Sequence, residues 1–356
     1  MSLKTVSSPE ISVIIPSYNG ERYIVQAIDS VRIQQNCSYE IIIIDDGSTD
    51  QTRDVLQSYN NQIHYVYQDN QGVSAARNKG IELSRGEFIA FLDADDYFLP
   101  DKLAAQLAVF KAQPELGIVH SGWCRVNSQG NPIVDVCPWQ NVPNLDLESW
   151  LIWKPVLPSA MMFRREWLVK VGGFDSRFPP AEDTELILRL ALKGCQANWL
   201  RKITVCYRQH EQSSTNQGLP QARSLTNVIE HFFSQPDLPI SIRFIEKRVR
   251  YGTFVWIAWY LYSTGHPALM AEYLKKAWLS KPYLPTDSII NWIESFSKYS
   301  SNLGETFDAY CFTSLPEWQD LTKWLIAYIE TESLSTTSNA SFSNLISNQI
   351  SSVKED

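Results

Sequence analysis

The chain is poor in the residues that build metal cages, covalent staples and membrane spans. Of 356 residues only six are cysteine and five histidine, and no Cys-x-x-Cys pair occurs. Cys37, Cys124, Cys137, Cys195, Cys206 and Cys311 are scattered, with no histidine near them at zinc-ligand spacing. That pattern argues against a structural zinc site and points to buried thiols in a reducing compartment. No uninterrupted apolar run reaches the length of a membrane span, and the opening MSLKTVSSPE holds no apolar stretch of the signal-peptide kind. The expected location is therefore cytoplasmic, with a peripheral seat on the inner membrane face left open. Basic charge is short as well: 31 Lys and Arg stand against 39 Asp and Glu, a formal net charge of -8. Such a balance argues against sequence-independent binding of nucleic acid. An acidic chain that binds an anionic diphosphate needs positive charge locally, and a metal ion is the economical source.

What the chain does have is a full complement of core residues, 44% hydrophobic with 12 Trp and 16 Tyr, enough for one large domain and a smaller one. Ile11–Pro16, Ile41–Ile44 and Phe88–Leu92 are continuous apolar runs, the pattern of strands covered on both faces of a parallel sheet. Ile63–Tyr67 alternates and suits a position nearer an edge. Ile24, Ala27, Ile28 and Val31 recur at helical spacing, as do Leu103, Leu107 and Phe110, while Ala76, Gly80 and Leu83 mark a helix between them. Ser48 with Gln51 fits a capping box for a helix running toward Leu56. Repeated βα units predict an α/β fold with a doubly wound, mostly parallel sheet flanked by helices. The stretch 114–159 is irregular and proline-rich, and strand Ala160–Phe163 and a helix from Glu182 to Ala191 restore order. Beyond about Gln221 only helical patterns remain, including a hairpin broken at Gly265-His266-Pro267 and a stripe of Trp318, Leu321, Leu325 and Tyr328. The expected organisation is a tail at 1–10, an α/β domain over 11–220, a helical region over 221–330, and a Ser- and Asn-rich disordered tail over 331–356.

Ligands of open α/β sheets lie at the carboxyl ends of the strands, and here those ends are acidic. Asp45, Asp46 and Asp50 follow the second strand; Asp93, Asp95 and Asp96 follow Phe88–Leu92. Gathered carboxylates repel unless a cation or hydrogen-bond donors compensate, and Mg²⁺ or Mn²⁺ favours such oxygens and bridges to substrate phosphates. Asp45 and Asp50 read equally as turn and cap residues, mostly structural. Asp93 and Asp95 do not.

Residues 11 to about 210 resemble the glycosyltransferase family 2 catalytic domain. The matching stretches are SVIIPSYN at 12–19, IDDGSTD at 44–50, GVSAARN at 72–78, FLDADD at 91–96, GGFD at 172–175 and AED at 181–183. The resemblance implies a GT-A fold and transfer of a hexose-type sugar from a nucleotide-sugar donor, usually a UDP-sugar, to an acceptor hydroxyl in polysaccharide or glycoconjugate synthesis. It implies Mn²⁺ or Mg²⁺ as cofactor and a saccharide or lipid-linked saccharide as acceptor. Carried over by position, Pro16, Tyr18 and Asp46 fall where the family holds the base. Asn70, Gly72 and Arg77 flank base and diphosphate, Arg77 either as a fixed cation there or as a support for Asp93. Asp93 and Ala94 lie toward ribose and sugar, Asp95 toward the metal, and Asp183 matches the catalytic base. His210 is a candidate metal ligand or a solvated loop histidine, and Arg208 a candidate phosphate contact. Asp183 alone also reads as a simple helix-start acid. Among Trp123, Trp139, Trp150 and Trp153, one or two are expected at the acceptor and the rest in the core. Two other readings stay open: a silent binding or scaffold protein on the same fold, and a nucleotidyltransferase, whose Gly-rich basic loop after the first strand is missing here.

Overall fold

The computed structural model describes residues 8–59, 61–211, 213, 218–281 and 285–331. Apart from 8–10 and 331, both tails read from the sequence lie outside that range. The strands are β1 (Ile11–Ser17), β2 (Tyr39–Asp46), β3 (His64–Gln68), β4 (Phe88–Phe91), β5 (Tyr97–Phe98), β6 (Leu116–Val126), β7 (Pro132–Val136), β8 (Met161–Arg164) and β9 (Gln196–Arg208). Around them run α1 (Ile24–Arg32), α2 (Thr52–Leu56), α3 (Val73–Leu83), α4 (Lys102–Ala112), α5 (Leu147–Trp153), α6 (Arg165–Val171) and α7 (Glu182–Leu192). Then follow α8 (Gly218–Phe233), α9 (Ile240–Ser263), α10 (Pro267–Leu279), α11 (Pro285–Ser301), α12 (Ala309–Thr313) and α13 (316–331).

One nine-stranded sheet has the order β3-β2-β1-β4-β8-β6-β9-β5, with β7 paired to β6. Its first four strands are parallel, as the apolar runs predict. Beyond β4 the sheet is mixed: β8 is antiparallel to β4 and β6, and β9 is parallel to β6. Burial follows the pattern in the residues. Ile11, Val13, Ile14 and Ile15 are sealed on both faces, whereas edge strand β3 is only half-buried. Alternate residues feed two cores. Val13, Ile15, Ala90 and Leu92 face α1 and α4, and Ile14, Ile89 and Phe91 face the other side. That second core continues without a break into the helical region, to Trp278, Trp292 and Trp318. The helices after 220 thus pack against α5 and α7 of the sheet-bearing unit. Among the described residues no helix is long and apolar enough to cross a membrane.

Two local findings refine the sequence reading. The expected capping box does not form, because α2 begins at Thr52 and Asp50 accepts from the Thr52 amide at 3.0 Å. Ser48 Oγ instead accepts from the Asn19 amide at 2.9 Å. Helix α3 lies so close to β1 that a Cβ on Gly80 would collide with Ile14 Cγ2. Alanine favours a helix interior over glycine by roughly 0.5–1 kcal/mol, but overpacking a filled core costs about 1–3 kcal/mol. Gly80→Ala is therefore expected to lower stability in a denaturant melt, and an unchanged or raised midpoint would show that α3 stands farther from the sheet.

Candidate functional site

The turns after β1 and β2 are laced together, which fixes one wall of the site. Asn19, held in the left-handed region at φ 52, accepts from the Thr49 amide at 2.8 Å. Gly20 N donates to Thr52 Oγ1, and Glu21 N to Asp50 Oδ2. Asp45 takes the Ser48 amide and the Tyr65 hydroxyl, at 2.9 and 2.7 Å. Asp45 and Asp50 thus hold loops. Asp46 is buried and anchors the next loop: its carboxylate accepts Gln68 Nε2 at 2.7 Å, Gln71 N at 2.9 Å and Gly72 N at 2.8 Å. Gly47, at φ +81, packs so tightly that a Cβ would lie 2.8 Å from Asn70 N. Tyr18 is 55% exposed beside this loop system, Asn70 is exposed, and Pro16 is buried inside β1. Gly72, at φ +87, opens α3 with open space where a side chain would stand.

The second wall is the loop after β4. Arg77 is buried on α3 and reaches two carboxylates, Asp93 Oδ1 through Nη2 and Glu182 Oε1 through Nη1, each at 2.8 Å. Of the two roles left open for Arg77, its geometry serves the support of Asp93. The Phe174 ring covers the guanidinium at 5.2 Å. Ala94 abuts Gly20 and so joins the β1 and β4 loops. Asp95 Oδ2 meets His210 Nε2 at 2.9 Å, with the carboxylate about one-third exposed. His210, itself mostly covered, also packs on the Tyr23 ring at 5.3 Å. It is a mostly covered partner of Asp95 and not a solvated loop residue.

Arg208 departs from expectation. Only 2% exposed, it sends its guanidinium to Asp95 O, Ser128 O and Gln26 Oε1, at 2.9, 3.0 and 2.6 Å. Its amide donates to Asp96 Oδ1 at 3.0 Å, and its charge lies over the Tyr23 ring at 4.5 Å. Committed to acceptors inside the protein, it braces the acidic loop against β9 and is not the phosphate contact expected from its position. Burial, with Asp95 and Asp93 nearby, pushes the fully buried Asp96 carboxyl well above the usual range.

Asp183 lies in the first turn of α7, half-buried. Val156, Pro158, Met161, Phe163, Phe174 and Ile187 line the space beside it. Loss of solvent and the neighbouring Glu182 push it up to about 7, against the pull of Arg77 and hydrogen bonds from Thr184. That is the region where a carboxylate is both ionisable and basic at neutral pH. Of the tryptophans weighed for an acceptor, Trp123 and Trp150 are core and Trp139 is half-buried; Trp153 is exposed, with Lys298 over its ring at 5.1 Å.

Motif reading included Glu182 in the AED stretch without giving it a role, and it missed the brace formed by Arg208, Gln26 and Asp96. Only the run of two acids at the start of α7 hinted at the first. Among the described residues no group of three or more His, Cys, Asp or Glu converges as a closed metal cage. Asp95 and His210 offer one oxygen and one nitrogen side by side, and a two-donor site of that kind fits an ion whose remaining ligands come from phosphate and water.

The mixed α/β sheet with an acidic loop at its strand ends has the GT-A type of fold. The family model for Glycosyl transferase family 2 matches residues 12–171. An uncharacterized glycosyltransferase of Rickettsia typhi is 30% identical over 220 residues, covering 60% of this chain and 68% of that protein. The chain belongs to glycosyl transferase family 2. Among the solved structures that share its fold are two glycosyltransferase complexes. The mannosyltransferase PcManGT from Pyrobaculum calidifontis, in complex with GDP-Man and Mn²⁺, is 18% identical with TM-score 0.57, over 90% of this chain and 86% of that one. S. aureus TarS 1-349 in complex with UDP-GlcNAc is 20% identical with TM-score 0.54, over 81% of each chain.

Proposed function

We propose that this chain transfers a hexose-type sugar from a nucleotide-sugar, a UDP-sugar by family resemblance, to an acceptor hydroxyl with inversion at the anomeric carbon, in polysaccharide or glycoconjugate synthesis. The observation that carries the reading is the single guanidinium of Arg77, which joins Asp93 on the acidic loop to Glu182 beside Asp183. Acid loop and proposed base therefore stand at one place. In this reading Tyr18 lies on the base by ring contact, and the loop anchored by Asp46, with Asn70 and Gly72, flanks base and diphosphate. Asp93 and Ala94 face ribose and sugar.

Asp95 and His210 would hold Mn²⁺ or Mg²⁺, and an ion bound there supplies Lewis-acid neutralisation of the diphosphate. The chain's own residues do the rest. Asp183 takes the proton of the acceptor hydroxyl as that oxygen bonds to the anomeric carbon, while the bond to the donor phosphate oxygen breaks and its electron pair leaves with the nucleoside diphosphate. Arg77 keeps Asp93 fixed through this step. Hydrocarbon around Asp183 keeps competing water from the base. That PcManGT is seen with GDP-Man and Mn²⁺, and TarS with UDP-GlcNAc, supports a nucleotide-sugar partner for this fold. Anomer analysis of the first product formed tests the stereochemistry. Inverted configuration is expected, and a product that keeps the donor's configuration rejects single displacement by an Asp183-activated hydroxyl.

A further inference from the structure

We propose that Glu182 is a positioning residue for sugar transfer: clamped by Arg77 onto the acidic loop, it fixes the start of α7 and keeps Asp183 a strong enough base for the acceptor proton. The inference rests on the function proposed above, in which Asp183 is that base.

Glu182 is in the first turn of α7, where an ordinary acid would face water and the positive helix end. Instead it is 4% exposed. One of its oxygens meets Arg77, and among the described residues the other, Oε2, has no hydrogen-bond partner. A buried carboxylate held by half of a shared guanidinium is costly, so helix geometry alone does not account for it. Arg77 is pinned on three sides, by Asp93, Glu182 and the Phe174 ring. It therefore transmits the position of the loop after β4 to the start of α7.

The electrostatics run the same way. The charged groups that act most on Asp183 are Glu182 on its own helix, which holds the proton on, and Arg77 from α3, which draws it off. The Thr184 amide and hydroxyl also face its carboxylate. Val156, Pro158, Met161, Phe163 and Phe174, which line the space beside it, present hydrocarbon. Glu182 is thus the carboxylate that offsets Arg77. Without its charge the guanidinium would leave Asp183 ionised but feebly basic, and a weaker base transfers protons more slowly.

The test is the pH dependence of transfer at saturating donor for wild type, Glu182→Gln and Glu182→Asp, with UDP affinity measured alongside. The ionised base is the active form, so the wild-type rate should rise with pH through about 7. Glu182→Gln should move this limb toward acid by roughly one pH unit and lower the plateau about threefold, while Glu182→Asp returns the limb and UDP affinity stays within about twofold. A lowered plateau with an unmoved limb would mean that Glu182 only holds structure, and overturns the inference. If the glutamine variant does not fold, carboxyl ¹³C titration of wild type decides: the signal titrating near 7 must be Asp183's, identified by its loss in Asp183→Asn. Assignment of that signal to Glu182 overturns the inference. Asp183→Asn is also the control, since full activity there would sink the proposed function itself. An inactive Asp183→Asn with an unmoved Glu182→Gln limb would remove this inference alone.

Discussion

Replacing Asp183 by asparagine is expected to leave donor affinity within about twofold and to lower turnover by about 10²–10⁴-fold, the usual worth of a positioned proton acceptor. Asparagine matches the shape of aspartate and keeps an oxygen for the Thr184 amide, which Asp183 Oδ1 accepts at 2.6 Å. What it lacks is basicity. Turnover measured beside UDP affinity on one preparation separates the two effects, and a variant as active as wild type would assign the proton to another group. Stability carries a second signature of opposite sign. The folded-state value of Asp183 is raised to about 7, so its contribution to stability is full below about 4, where the unfolded carboxyl is protonated too, and is lost as pH rises from there to about 7. Asparagine mimics the protonated form at every pH. Asp183→Asn should melt with wild type near about pH 3 and above it at neutral pH, the gap growing between about pH 4 and 7 and then holding.

Removing Asp95 should act on the donor and not on the proton. With alanine there, His210 loses its carboxylate partner and the proposed ion keeps one side-chain ligand. UDP affinity in the presence of Mn²⁺ should fall at least tenfold, about 1.4 kcal/mol, and added metal should cease to raise transfer. The fold should survive, because the Asp95 side chain is one-third exposed. Neighbouring Asp96 differs: it is 1% exposed and accepts the Arg208 amide, so its loss should show as a lowered melting temperature. An Asp95→Ala protein with undiminished, metal-sensitive UDP binding would remove that carboxylate from the donor site.

The parallel half of the sheet is legible because its strands need no partner beyond their own apolar runs. Val13–Ile15, Ile41–Ile44 and Phe88–Leu92 are hydrophobic at consecutive positions since both faces are covered. Strand β6 hides for the opposite reason. Its His120 and Ser121 are wholly buried, yet they look like loop residues in the chain. Pro155 O and Ala160 O satisfy them from segments some 35–40 residues away. The acidic loop and His210 are legible as motif positions. Arg208 is not, because a phosphate-facing arginine and a buried brace have the same letter, and the acceptors Gln26 and Ser128 that distinguish them lie 182 and 80 residues away. The role of Glu182 fails to show for a similar reason. An acid at a helix start is expected on the surface, and only the approach of Arg77 from 105 positions earlier buries it.

Calorimetry of the wild-type protein with UDP, in Mn²⁺ and then in excess chelator, tests the core of this account most directly. The account predicts binding in the first condition and at least a tenfold loss of affinity in the second. Equal affinity in both, or no nucleotide binding in either, would contradict it.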